Sequence, residues 1–343
     1  MRPVAVGRSS DTGGYSHPLD DDDDAKSSSH MHASHTPHAF LLRASLAPAT
    51  IARYTKASSG FYDYLIRMCI VPSTYAHVDE LFTGYLHHLY NSGAGKAEAV
   101  AAFFGLNVAQ PDVTRWMPMS RKALKGYARL KPSSQYPPLT WPVTKVIAVE
   151  MARRGHMSEA IGTLLSFDCL LRMGELLGIM HEDIVTGADP RIGAGGDDRL
   201  YVRLRKTKTG GEQGVELADD EVRILAVMAR NMVAPGSRVF PFSDNQYRRL
   251  LHKVCLHLSL PAGYVHHSCR HGGATYFHLC GVPVTDIQHR GRWRSQKTAT
   301  HYIQGGRQAL MARSIPAAVS TAAVNIVSII DAIASVLPRT RSL

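Results

Sequence analysis

Cysteine is sparse in this chain, five residues in 343, and no two stand at the Cys-x-x-Cys spacing of a zinc or redox site. The odd number and the lack of a secretory signal at the N-terminus predict reduced, intracellular, mostly buried thiols. Acidic residues also fall short, 28 against 39 Lys and Arg, for a net charge of +11. Residues 1–37 hold six acidic side chains and three basic ones, so the rest of the chain carries 36 basic against 22 acidic, a net of +14. A body this basic is expected to meet a polyanion, with nucleic acid first among the choices. Charge alone does not separate DNA from RNA or a membrane surface. Long apolar runs are few, and only Pro316–Leu337 invites a membrane reading. Asn325, Asp331 and several Ser and Thr residues argue against it, since a charged residue at the bilayer centre costs about 2.5–3.5 kcal/mol. That segment, 316–343, is expected to hold a C-terminal helix docking on its own body or on a neighbouring protomer, and no membrane partner is expected.

Residues 1–37 are rich in Ser, His and Asp with almost no apolar periodicity, the composition of a disordered tail. His30, His32, His35 and His38 have no cysteine or carboxylate at finger spacing, so no metal or other cofactor is expected. Residues 38–134 read as a helical module. Its first helix starts near Pro48 to Thr50 and should bury Ile51, Tyr54, Phe61, Leu65 and Met68. The second follows i, i+3, i+4, i+7 through Val78, Leu81, Phe82, Tyr85, Leu86, Leu89 and Tyr90, with Gly93 as its stop. A third covers Ala97 to about Asn107. The fourth, Ser120 to Leu130, brings Arg121, Lys122, Lys125, Arg129 and Lys131 together as candidate phosphate contacts. The proline-rich stretch 135–142 is expected as a linker, because proline disfavours helix at itself and at the residue before it. Beyond it, 143–315 should form a second domain. Val143–Arg153 and Ser158–Leu171 read as helices. Leu200, Val202 and Leu204 face Val215 and Leu217 across a Gly-containing turn as a β-hairpin. Two further helices, Asp219 to Ala234 and Ser243 to Leu258, follow, the latter with Arg248, Arg249 and Lys253 as further DNA-contact candidates. The fold class is mostly α with a small β-hairpin or sheet (α+β).

The most informative stretch runs from His267 to Tyr302. His267 and Arg270 stand three apart on one helical face. Tyr302 follows Trp293 by nine residues, which is two and a half turns, so the two can meet only if the chain bends. Gly291 and the polar run Arg292 to Lys297 offer that bend. Upstream, Arg172 precedes Glu175-Leu176, and Lys206-Thr-Lys208-Thr-Gly lies at the hairpin turn. This constellation resembles the tyrosine recombinases, the phage integrase family: an Arg in an Arg-x-x-Glu-Leu context, a hairpin lysine, His-x-x-Arg, then His or Trp, then Tyr nine later. Most members carry Gly-His where this chain has Arg292-Trp293, and the tryptophan is similar to the phage recombinase Cre. Gly272, where many bacterial members have Ser or Thr, is also glycine in Cre. The tryptophan and the helical module further resemble recombinases of eukaryotic mobile elements, such as DIRS-like retrotransposons and cryptons.

The resemblance, over roughly residues 46–315, implies a two-domain DNA clamp, a helical core-binding domain ahead of a catalytic domain. It also implies a site made of Arg172, Lys208, His267, Arg270, Trp293 and Tyr302, with Glu175 supporting Arg172. Tyr302 would attack a DNA phosphate and leave a 3′-phosphotyrosyl link and a free 5′ hydroxyl, with no metal or ATP. A tyrosine hydroxyl titrates near ~10, so it needs help losing its proton. His267 would give that help, Arg172 and Arg270 would hold the non-bridging oxygens, Lys208 would protonate the leaving oxygen, and Trp293 would donate its indole N–H. The implied partners are double-stranded DNA and a homo-tetramer on two duplexes. The implied location is intracellular and DNA-associated, nuclear if the host is eukaryotic. Two other functions fit the same residues: a type IB topoisomerase-like relaxation of supercoils, and a non-cleaving DNA-binding protein derived from a recombinase.

Overall fold

The computed structural model describes residues 44–110, 112–132, 136–187, 199–205 and 211–337. The expected tail, residues 1–37, and Lys208 lie outside the described residues. The protein is predominantly helical with one small antiparallel sheet, and the chain divides into two compact units between Ser133 and Ser134.

The first unit consists of α1 (Pro48–Arg67), α2 (Tyr75–Asn91), α3 (Lys96–Ala109) and α4 (Pro118–Leu130). Helix α1 packs along α3, and α2 along α4. Phe61, Phe82, Tyr85, Leu86, Phe103 and Met117 fill the space between them. Asp79 reaches from α2 to the start of α4, accepting from the N–H groups of Met119 and Ser120 (both 2.8 Å) and from the Ser120 hydroxyl. A carboxylate so placed satisfies helix-terminal donors that have no partner within their own helix. Met68, expected in the core, is 54% exposed. Met68 keeps near-helical angles (φ -85°, ψ -3°) but stands past the end of the helix, beyond Leu65, its last buried residue.

The second unit holds α5 (Trp141–Arg153), α6 (Met157–Asp168), the single turn α7 (Met173–Leu176), β1 (Ile184–Thr186), β2 (Leu200–Leu204), β3 (Gln213–Glu216), α8 (Asp220–Asn231), α9 (Asp244–His257), α10 (His266–Leu279), α11 (Val284–Gly291), α12 (Gln296–Tyr302), α13 (Gly305–Ala312), α14 (Ala317–Asn325) and α15 (Ile329–Val336). Helix α6 lies at the centre, packed by α5, α8 and α10. The sheet order is β1-β2-β3, with Val202 opposite both Ile184 and Val215, so the expected hairpin gains a third strand. Alternate residues Leu200, Val202 and Leu204 are buried, as a one-sided sheet requires.

Within the expected linker, Leu139 is fully buried and its N–H donates to the Ser268 carbonyl (3.1 Å), while Trp141 already begins α5. Pro142 is tolerated there because the first turn of a helix has no use for its missing N–H. The apolar C-terminal segment is two helices bent by 109°, not one. Both pack on α5 of their own unit, burying Val319, Ala323, Ile329 and Ile333. Glu221 caps α15 by accepting from the Ser328 hydroxyl (2.6 Å) and the Ile329 N–H (3.1 Å), and Lys145 donates to the Ile326 carbonyl (3.0 Å). Among the described residues no single helix is long and apolar enough to cross a membrane.

Candidate active site

The site begins where α6 stops. The spacing predicts helix as far as Leu171, but α6 ends at Asp168 and Leu170 adopts a left-handed conformation (φ 51°). A β-carbon makes that region unfavourable by roughly 1–2 kcal/mol, so the surroundings must hold it. Two guanidiniums do so: Arg270 Nη1 and Arg292 Nη2 both donate to the Leu170 carbonyl. The turn delivers Arg172 in extended conformation to the start of α7, where Glu175 accepts from its main-chain N–H (2.9 Å) and from Nη1 (2.6 Å). Glu175 is buried, and it also accepts from Arg292 Nη2 (2.9 Å), with Arg270 Nη1 at 4.0 Å. Burial alone would raise its pKa. Arg292, the Arg172 N–H and the other guanidiniums outweigh burial and hold it below the usual glutamate value.

Helix α10 supplies His267, Arg270 and His271. Its two glycines allow a close approach: a β-carbon on Gly272 would collide with the Leu139 carbonyl, and one on Gly273 with the Phe167 carbonyl. Arg270 is fully buried, its second terminal nitrogen donating to the Gly291 carbonyl. Its guanidinium lies 4.5 Å from the Trp293 ring centre and 5.4 Å from that of Tyr302. Burial, then the Arg172 and Arg292 charges, pull its pKa down to about 9, which leaves it charged at pH 7. Burial, followed by Arg270 and Arg172, lowers His267 to about 4, so its imidazole is neutral at pH 7. Burial, followed by His267, lowers His271 to about 4 as well.

Helix α11 ends at Gly291, and Arg292 takes a left-handed conformation (φ 54°) that turns the chain into Trp293. The indole lies directly against Gly291, in space that any β-carbon there would occupy. Tyr302, the last residue of α12, is half-buried, with Trp293 and His271 each 4.5 Å away between ring centres and His267 at 5.3 Å. His271 stacks on it at 25°, and His267 meets it edge-on. Trp293 Nε1 and Arg270 Nε are buried with no hydrogen-bond partner among the described residues. Arg172, Glu175, His267, Arg270, Trp293 and Tyr302 therefore form one cluster. A neutral imidazole, fixed cations and a phenol in such proximity can take a proton from the tyrosine and stabilise an anion beside it.

The candidate DNA contacts are scattered more widely. On α4 and just past it, Lys122, Lys125 and Arg129 are exposed, whereas Arg121 donates to the Thr114 carbonyl (2.5 Å) and Lys131 to the Tyr90 and Ala94 carbonyls (both 3.3 Å). On α9, Arg248 pairs with Asp244 (2.8 Å), Arg249 donates to the Asn245 carbonyl (3.2 Å), and Lys253 is exposed. Two site residues are not among the sequence-predicted ones. His271 had a usable signal, four residues after His267 on the same helical face. Arg292 had none, because arginine is rarely buried and its position reads as a polar loop. Among the described residues no three His, Cys, Asp or Glu side chains are grouped to hold a metal ion.

No known protein family's sequence profile matches the chain, and no curated protein does. Solved structures do. A lambda integrase dimer bound to a COC′ core site superposes with a TM-score of 0.56 at 15% identity, covering 78% of this chain and 75% of that one. A lambda integrase tetramer bound to a Holliday junction gives 0.56 at 14% identity, covering 78% and 74%. The Tn1549 transposon integrase in complex with transposon right end DNA gives 0.50 at 11% identity, covering 77% and 98%. At these identities the likeness is one of fold: this chain has the fold of the tyrosine recombinases and integrases.

Proposed function

We propose that this protein is a site-specific DNA recombinase or integrase that cleaves and rejoins duplex DNA through a 3′-phosphotyrosyl intermediate. The observation that carries the reading is the convergence of His267, Arg270 and Trp293 on Tyr302, with Arg172 tied into the same cluster through Glu175. The fold shared with integrases solved on core-site and Holliday-junction DNA supports it, as does the basic body of the chain.

In this reading Tyr302 Oη attacks a backbone phosphorus while its proton passes to the neutral His267, general-base help of about 10²–10⁴-fold. Arg270 and Arg172 hold the two non-bridging oxygens. Each has N–H groups beyond those used on protein carbonyls and Glu175, and the planar fork suits phosphate. Trp293 donates its indole N–H to one of the same oxygens. Lys208 protonates the departing 5′ oxygen. The bond to Tyr302 conserves the phosphodiester energy, so a 5′ hydroxyl can reverse the step on the same or another strand without ATP or metal. Two units clamping one duplex, and four protomers on two duplexes, complete the proposal, with Lys122, Lys125, Arg129, Arg249 and Lys253 as backbone contacts. The tryptophan in place of histidine is similar to Cre-like members and to recombinases of eukaryotic mobile elements.

The test is to incubate the protein with a pool of nicked and random duplexes, denature in SDS, and run Tyr302→Phe in parallel. A protein–DNA adduct in the wild type that disappears in the variant is expected, and sequencing the captured DNA reads whether a site is chosen. No adduct, with DNA binding intact by gel shift, would overturn cleavage and leave the binding protein.

A further inference from the structure

Arg292 occupies the position where the resemblance would place glycine, and it does not behave as a surface arginine. Its side chain is 3% exposed. Nη1 donates to the carbonyls of Cys169 (3.1 Å) and Arg290 (2.7 Å), and Nη2 to the Leu170 carbonyl (2.9 Å) and to Glu175 (2.9 Å). Four terminal N–H bonds thus meet four protein acceptors, so the end of the fork has nothing left for a substrate. Two of those acceptors are shared with the residues proposed to bind phosphate. Leu170 also receives Arg270, and Glu175 also receives Arg172. Without Arg292, Glu175 would be free to shift toward whichever remaining guanidinium attracts it more. The strained Leu170 turn would also lose one of its two clamps.

We infer that Arg292 is a positioning residue of this site, tying down Glu175 and the Leu170 carbonyl so that Arg172 and Arg270 keep the orientation in which both address one phosphate. The inference rests on the proposed DNA cleavage for its consequence, though not for its geometry. It explains why a left-handed residue is arginine here although glycine would adopt that conformation without strain.

Arg292→Gly is the informative variant, because it keeps the left-handed turn and deletes only the side chain that carries the guanidinium. Arg292 also lines a cavity of about 500 Å³ with Gln213, His289 and Arg294. In single-turnover cleavage of a captured duplex we expect DNA affinity within about twofold of wild type and a cleavage step at saturating DNA slowed at least about tenfold. That is less than the roughly 10²–10³ lost with a donor that touches the transition state, because Arg292 acts through its neighbours. Arg292→Lys retains one charge but cannot span four acceptors, and is expected to fall between the two. It also serves as the test if the glycine variant does not fold. The second readout needs no DNA: the Glu175 carboxyl, followed by ¹³C NMR, should titrate at higher pH in the variant. The other charged groups facing it, Arg172 and Arg270, are unchanged. Wild-type cleavage rates in both variants, or identical Glu175 titration, would overturn the inference. Absence of any adduct in wild type would instead overturn the proposed function, and the titration would still decide the role of Arg292.

Discussion

Replacing Gly272 by alanine adds one methyl group at the tightest contact behind the site. That carbon would overlap the Leu139 carbonyl oxygen and stand 2.8 Å from the Leu139 carbonyl carbon and 2.9 Å from Phe167 Cε2. The obstacle is mostly main chain, which cannot rotate aside as a side chain would. Helix α10 or the Leu139 segment must therefore retreat, straining the Leu139 N–H bond to Ser268. Overpacking of a filled core costs about 1–3 kcal/mol, and a main-chain obstacle argues for the upper end. Alanine returns roughly 1 kcal/mol over glycine through helix propensity. The net is a loss of about 2 kcal/mol, which for a unit of this size lowers Tm by about 4–8 °C. Calorimetry of Gly272→Ala beside Gly174→Ala measures it. Gly174 lies in α7, where an added methyl group would meet nothing within 4 Å, so its variant should melt at or slightly above wild type. The displaced α10 carries His267 and Arg270, so cleavage should fall with the stability. A Gly272→Ala protein melting at or above wild type would refute the reasoning.

Acid should destabilise the second unit early. His266, His267 and His271 are held at about 3, 4 and 4, chiefly by burial, against roughly 6.5 in an unfolded chain. Between those values the unfolded state binds more protons, so stability rises with pH from about 4 to about 6.5 and levels off above it. Urea midpoints at pH 4.5, 5.5 and 7.5 test this, and equal midpoints would contradict it. Asp79→Ala removes a buried cap from α4 and leaves two N–H groups unpaired, a loss of about 2–4 kcal/mol. Hydrogen exchange should quicken in α4 and stay unchanged in α10, and unchanged α4 protection would refute the capping role. Arg172→Ala should retain DNA binding in a gel shift and lose about 10²–10³ in adduct formation. Equal loss of both in a folded protein would make Arg172 a DNA-positioning residue instead.

The family resemblance singled out Arg172, His267, Arg270, Trp293 and Tyr302 as candidates in the sequence, and periodicity was enough to place α2 within a few residues. What brings the site residues together was not readable. It depends on a leucine in a left-handed turn, a conformation no local rule assigns to leucine, and on an indole lying where Gly291 has no side chain. Strand β1 escaped because three residues give too few alternations to register a period of two. The C-terminal segment misled because its apolar residues suit one continuous helix. Its break at Ile326–Ser328 is held by Lys145 and Glu221, which come from α5 and α8 and have no local signature. Arg292 escaped because its partners are mostly main-chain carbonyls, which carry no sequence label at all.

The clipped C-terminal pair also bears on how the protein is handled. A boundary at Ile315, the natural cut if the last segment were an independent arm, would strip Val319, Ala323, Ile329 and Ile333 from α5. It would take the Ser328 hydroxyl and the Ile329 N–H from Glu221 and the Ile326 carbonyl from Lys145, beside a newly bared apolar strip. Fragments trimmed there would cling to one another, and self-association in such a preparation would report a wound in the core rather than a native assembly.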